Sequence, residues 1–316
     1  MPTSELPALR FDDPVEQRAE TLRRAAVSFG AVAVGGLDRL IEQADAATDA
    51  AAEFFAADPS VKELSRCPPD QLARGWNSYT DDEGRPTFER LSFGQFDDAH
   101  QAAAAGVPEE YLDLFAAANI WPDGRLRSLV EEYRDAAAQL CVDVLREAAA
   151  AFGYPADAFT ADRADHTNTA LTRYFPGGKQ PDGPIGPDTG ADLGYAAHRD
   201  ATFATALTER GEPECLLIQN LLDGTWHAVN TKPGTMVAIF GTALERRTGK
   251  AIRAARHLVL SPRREPRYST GVFYNAALTT SVLPDGVQPG ATDATGTPVV
   301  TTIGDLYHRF INSALR

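Results

Sequence analysis

The sequence predicts a mainly β fold with flanking helices: a jelly-roll or barrel sandwich in the second half, preceded by a helical first half. Three observations carry this. Apolar residues recur at helical spacing up to about residue 152. From residue 169 onward, short β-type runs alternate with turn signals. That second half lacks the alternation of strand and crossover helix that builds a parallel sheet.

Taken in order, Asp13-Pro14 opens a first helix with an acidic cap and a proline, and Gly30 closes it. Residues 31–34 are a short β candidate. Residues 37–57 read as an amphipathic helix through Leu37, Leu40, Ile41, Ala44, Ala47 and Ala51, stopped by Asp58-Pro59. Residues 67–95 look irregular with strand patches, and the alanines at 102–105 are too few to argue low complexity. Residues 125–152 predict a long helix whose stripe includes Leu126, Val130, Tyr133, Ala137, Leu140, Cys141 and Val144. Cys141 lies in that stripe and reads as core. Beyond it, β-type runs cover 169–175, 203–207, 215–219, 226–229, 235–240, 252–260 and 268–274. Asp223-Gly224 is a hairpin signal and Pro233-Gly234 another turn. The Pro/Gly/Asp-rich stretch 176–194 reads as a loop; its Gly177-Gly178-Lys179 lacks the ending and following helix of a phosphate-binding loop. Residues 302–315 predict a closing helix through Ile303, Leu306, Tyr307 and Phe310, placed either over the barrel mouth or as simple packing. Trp76, Trp121 and Trp226 read as packing residues.

With 316 residues, 43% of them hydrophobic, the chain can bury one large core or two modest ones. Lys plus Arg total 30 against 44 Asp plus Glu, a formal charge of −14. So acidic a surface repels phosphate backbones and anionic membranes, which argues against nucleic acid or a lipid surface as the main partner. Three scattered cysteines without a Cys-x-x-Cys pair point to a reducing cytoplasm and exclude a disulfide scaffold or zinc knuckle. The first residues show no basic-then-apolar leader, and no apolar run approaches the roughly 20 residues of a membrane span.

Two of the six histidines stand out. His198-Arg199-Asp200 puts an imidazole and a carboxylate on one face of extended backbone. His257 follows inside the run 252–260. Two imidazoles and one carboxylate on one side of a metal leave its other positions open, the arrangement used by non-haem Fe(II) oxygenases. Zinc could take the same ligands. Ten residues on, Arg267-Tyr268-Ser269 alternates a guanidinium and a hydroxyl on one strand face, a good clamp for a carboxylate.

These motifs resemble the isopenicillin N synthase-like branch of the Fe(II)/2-oxoglutarate-dependent oxygenases. The stretch from His198 to Leu207 is similar to that branch's His-x-Asp strand. Asp223-Gly224-Thr225-Trp226 with Pro233-Gly234-Thr235 resembles its central hairpin, and Gly241-Thr242-Ala243-Leu244-Glu245 a turn in which Thr242 replaces the family's Asp. The resemblance covers roughly residues 11–280. It implies a double-stranded β-helix wrapped by N-terminal helices, hence one domain over 1–316: a helical region 1–165, a core 166–280 and a tail with a helix 281–316. It further implies Fe(II) on His198, Asp200 and His257, with 2-oxoglutarate as cosubstrate on Arg267 and Ser269. Dioxygen would be consumed, and a small specialised metabolite hydroxylated, desaturated or cyclised. A same-fold oxidase that does not use 2-oxoglutarate, and a non-catalytic metal- or ligand-binding protein, are the alternatives.

One departure bears on the substrate. Many plant members carry Asn-Tyr-Tyr-Pro on the first core strand, with the Asn and second Tyr facing the cosubstrate; here Arg173-Tyr174-Phe175-Pro176 stands in its place. By alternation Arg173 and Phe175 are expected to face inward, Arg173 as a substrate anion binder unless an acidic residue pairs with it. This form, with Gly249-Lys250, is nearer to bacterial cephalosporin ring-expanding oxygenases and suggests antibiotic biosynthesis. Tyr195 and Lys179 are weaker substrate-lining candidates. Because the cosubstrate is a dianion, the pocket of this acidic protein must be locally positive, and Arg267 and Arg173 are expected to make it so.

Overall fold

The computed structural model describes residues 5–68, 74–160, 166–179, 186–187, 190–230, 232–287, 290 and 299–314. The first half alternates helices with short strands. β1 (Ala8–Leu9) leads to α1 (Val15–Ser28), which ends where Gly30 turns the chain at φ +66° into β2 (Ala31–Gly35). α2 (Asp38–Phe55) buries Leu40, Ala44, Ala47, Ala51, Phe54 and Phe55 along one stripe. α3 (Pro59–Glu63) begins at Asp58, whose carboxylate accepts the Ser60 N–H. The region read as irregular with strand patches holds a hairpin of β3 (Gly75–Thr80) and β4 (Pro86–Phe93). At its turn, Asp81 Oδ1 accepts the N–H groups of Glu83 and Arg85. α4 (Ala99–Ala104) takes in most of the alanine run, and α5 (Gly124–Ala151) starts at Asp123, which caps the Leu126 N–H at 2.8 Å.

The second half is the β region. It comprises β5 (Asn168–Tyr174), β6 (Leu193–His198), β7 (Ala204–Gly211), β8 (Leu216–Gln219), β9 (Trp226–Ala228) and β10 (Thr235–Phe240). After α6 (Thr242–Arg247) come β11 (His257–Leu260), β12 (Arg267–Tyr274) and α7 (Ile303–Ala314). Among the described residues the strands form two sheets, one ordered β1-β2-β10-β7-β12-β5-β4-β3 and the other β6-β11-β8-β9. The Asp223-Gly224 turn joins β8 to β9 as expected. Two expectations change. β6 starts within the last two residues of the stretch read as loop and runs on to His198, and the run 252–260 is strand only from His257. Ile252 does not extend that strand, because its N–H is taken by the Thr248 hydroxyl.

The large sheet packs one face on α2 and α5, and its other face closes over the small sheet. The buried stripe of α5 includes Cys141, which is fully enclosed, with burial raising its thiol to about 12. Trp76 and Trp121 are packed as expected, Trp76 donating to Glu89 and Trp121 stacked on Phe93. Trp226 is half-buried against the small-sheet core, with the Arg256 guanidinium 5.4 Å from its ring. No helix among the described residues is long and apolar enough to cross a membrane.

Candidate active site

β6 and β11 are antiparallel neighbours that pair His198 directly with His257. Paired residues share a face, so both imidazoles enter the same space, with ring centroids 4.2 Å apart. Asp200 follows β6 two residues on. Its Oδ1 lies 3.5 Å from His198 Nε2 and 3.8 Å from His257 Nε2, and one ligand atom from each of the three lies within 4.8 Å of the others. His198 Nδ1 sits 2.8 Å from the carbonyl of Ala196, and His257 Nδ1 3.4 Å from that of Ala255. A carbonyl can only accept, so each Nδ1 carries a proton and each Nε2 is left on the Asp200 side. The Thr205 hydroxyl donates to the other oxygen of Asp200 at 2.6 Å.

Electrostatics agree with that geometry. Burial opposes charge on Asp200, but the two imidazoles and the Thr205 hydroxyl outweigh it and hold the carboxyl at about 2. Burial, helped by His198 against Asp200, lowers His257 to about 4. An ionised carboxylate beside two imidazole Nε2 atoms is a donor set suited to a divalent metal.

The three residues line a cavity of about 350 Å³. Arg267 and Ser269 of β12 lie in its wall, both buried. Arg267 Nε and Nη2 donate to Glu209 on β7, and its ring neighbour is Tyr174, 5.0 Å away. Its Nη1 is buried without an acceptor among the described residues. That orphaned donor, next to a hydroxyl, fits one oxygen of a ligand carboxylate.

The sequence profile of the 2OG-Fe(II) oxygenase superfamily matches residues 167–276, the stretch that carries all five of these residues. That stretch matches this superfamily. Gibberellin 20 oxidase 2 of rice (Oryza sativa subsp. indica) is 26% identical over 279 residues, 84% of this chain and 65% of the relative's length. A 2-oxoglutarate-dependent dioxygenase of Gibberella zeae is 32% identical over 164 residues, 49% of this chain and 41% of its own. The chain thus spans less than two thirds of the length of either relative. A 2OG-Fe(II) oxygenase family protein of Caulobacter crescentus superposes with a TM-score of 0.74 at 21% identity, covering 97% of this chain and 98% of that one. The dioxygenase for auxin oxidation 1 from Arabidopsis thaliana, solved with 2-oxoglutarate, gives 0.67 at 18% identity over 92% and 99%. These superpositions establish the double-stranded β-helix fold.

Within this oxygenase fold the remaining expectations divide. Tyr195 lines the cavity, its ring 4.7 Å from that of His198. Arg173 does not. It pairs in register with Tyr268 and Glu89, whereas Thr172 pairs with Ser269, and Tyr174 with Arg267. Since Arg267 and Ser269 face the cavity, Thr172 and Tyr174 face it too, and Arg173 points to the other face. There its Nη1 donates to Glu89, 3.2 Å away, and to the Phe55 carbonyl. Phe175 lies beyond the strand under the Arg173 guanidinium, outside the cavity. Lys179 is exposed and also outside it. Tyr307 of α7 reaches the cavity and accepts from Asn275, so the closing helix does contribute to the wall. Sequence reasoning missed Arg90, Thr172, Tyr174 and Thr205. Only the register of β12 on β5 could have corrected the parity of β5.

Proposed function

We propose that this protein is a mononuclear Fe(II) oxygenase that couples 2-oxoglutarate decarboxylation to oxidation of a small specialised metabolite. The observation that carries this is one cavity holding both the His198–Asp200–His257 donor set and the orphaned Arg267 Nη1 beside Ser269. In this reading His198, Asp200 and His257 hold the iron, and Arg267 and Ser269 hold the distal carboxylate of 2-oxoglutarate. When bound, iron, 2-oxoglutarate and dioxygen supply the oxidising power, releasing succinate and carbon dioxide as hydrogen is removed from the substrate. The chain's own work is positional. Thr205 fixes Asp200, Glu209 fixes the Arg267 fork, and Tyr195 and Tyr307 wall the space where a substrate carbon must be held while water is kept out.

Related readings have their own support. A core cluster that runs from Leu9 through α5 to Tyr307, joining the helical half to the β half, supports one oxygenase domain over 1–316. Three buried, unbridged cysteines support a cytoplasmic setting, and the charge of −14 supports a role away from nucleic acid. The Arg173-Tyr174-Phe175-Pro176 form supports an antibiotic-type metabolite. Anaerobic titration with Fe(II) and 2-oxoglutarate tests the central reading. It should give the weak visible charge-transfer band of the chelate, followed by succinate release on admitting air. No band and no succinate would leave a binding protein.

A further inference from the structure

Arg90 on β4 lines the same cavity yet is outside the clamp. Its Nε donates to Thr172 Oγ1 at 2.9 Å, and its guanidinium lies 5.2 Å from the Phe88 ring and 5.0 Å from that of Tyr195. Of the nearby cations, Lys62 and Arg173 share Glu89 and Arg267 holds Glu209, while the exposed Arg199 donates to the Ala254 carbonyl. Arg90 pairs with no carboxylate among the described residues. Asp200, the acidic residue in the cavity wall, is already engaged by Thr205 and the two histidines. A guanidinium fixed by a hydroxyl and two aromatic faces, turned to a cavity and lacking a counter-charge, is built to receive a planar anion. The register places it. Arg90, Thr172 and Ser269 form one row across β4, β5 and β12, two strands from the clamp, while the Tyr195 ring carries Arg90 toward His198.

We propose that Arg90, with Thr172 and Tyr195, binds a carboxylate of the primary substrate, so that the substrate class is a small organic acid. This rests on the oxygenase reading and assigns Arg90 as its selectivity residue. The test uses the full chain, loaded anaerobically with Fe(II) and 2-oxoglutarate. Calorimetry compares matched probes, phenylacetate and decanoate against their primary amides. At least one acid should bind about tenfold tighter than its amide. Arg90→Gln should weaken that acid by about 10- to 100-fold and erase the preference, Arg90→Lys should recover part of it, and 2-oxoglutarate binding should persist in both. Acids binding no better than amides to the wild type, absent binding included, would overturn the proposal. So would Arg90→Gln weakening 2-oxoglutarate instead of the acid, which would place Arg90 in the cosubstrate clamp. A wild type that takes up no 2-oxoglutarate is a distinct result: it overturns the oxygenase reading and this proposal with it.

Discussion

At the scale of single residues, the donor set is local chemistry and the clamp is a balance of charges. Burial lowers His257, the Nδ1–carbonyl contacts of both imidazoles leave their Nε2 atoms on the Asp200 side, and Asp200 is the one carboxylate of the trio. Replacing His198, Asp200 or His257 with Ala should reduce Fe(II) affinity by at least about 100-fold while the far-ultraviolet circular dichroism stays unchanged. A variant that binds Fe(II) like the wild type would leave the ligand set. Arg267 behaves differently, because it is buried and bound to Glu209, itself largely enclosed. Arg267→Ala should therefore weaken 2-oxoglutarate binding and also cost about 3 kcal/mol of stability, since it strands a buried carboxylate. Urea unfolding and a 2-oxoglutarate titration on one preparation would separate those effects. His-x-Asp and Arg-x-Ser were legible because their spacing fits an extended strand. Arg90 was not, because its meaning lies in which carboxylates are missing around it.

At the scale of elements, periodicity carried the helices well. Long stripes such as that of α5 survive any tertiary context, and its limits fall within a residue of those expected. Short strands are less self-sufficient. β6 reads Leu193-Gly194-Tyr195-Ala196-Ala197-His198, without a β-branched residue, and takes its strand state from pairing with β11. The same dependence misled the reading of β5, where alternation is certain but its phase is set by β4 and β12. One glycine shows how tightly the elements meet. A Cβ on Gly30, at φ +66°, would stand 2.5 Å from both the Ala255 nitrogen and the Arg253 carbonyl oxygen. Gly30→Ala should thus cost about 1–3 kcal/mol or more and loosen the segment leading to His257. A lower urea midpoint with raised hydrogen exchange at residues 253–257 would show both; an unchanged midpoint would refute the contact.

At the scale of the whole molecule, the acidic surface and the cavity have opposite electrostatic characters. Among the described residues, Arg90, Arg199 and Arg267 line the cavity with a single carboxylate, Asp200. Behind it, burial and then Arg74 lower His166 from 6.5 to about 3; its ring centroid is 3.9 Å from that of Tyr307. The unfolded chain takes up a proton near pH 6.5 that the folded state refuses. The stability contribution is therefore full above that pH and falls as pH drops toward about 3. Melting temperatures at pH 7.5 and 5.0 should diverge more for the wild type than for His166→Gln; equal divergence would assign the acid sensitivity elsewhere.

The sequence by itself determined the helical half and the β half and singled out His198, Asp200, His257, Arg267 and Ser269, which the structure brings to one cavity, because helical stripes and two-residue spacings are properties of the local chain. Only the tertiary structure decided which face of β5 meets the cavity. Expected as the second cation of the pocket, Arg173 is neutralised by Glu89 on the outer face, and Arg90, from a hairpin whose stretch read only as strand patches in irregular chain, stands in the wall instead. The reason is physical: strand alternation has a period of two but no origin, and the origin comes from hydrogen-bonded neighbours distant in the chain.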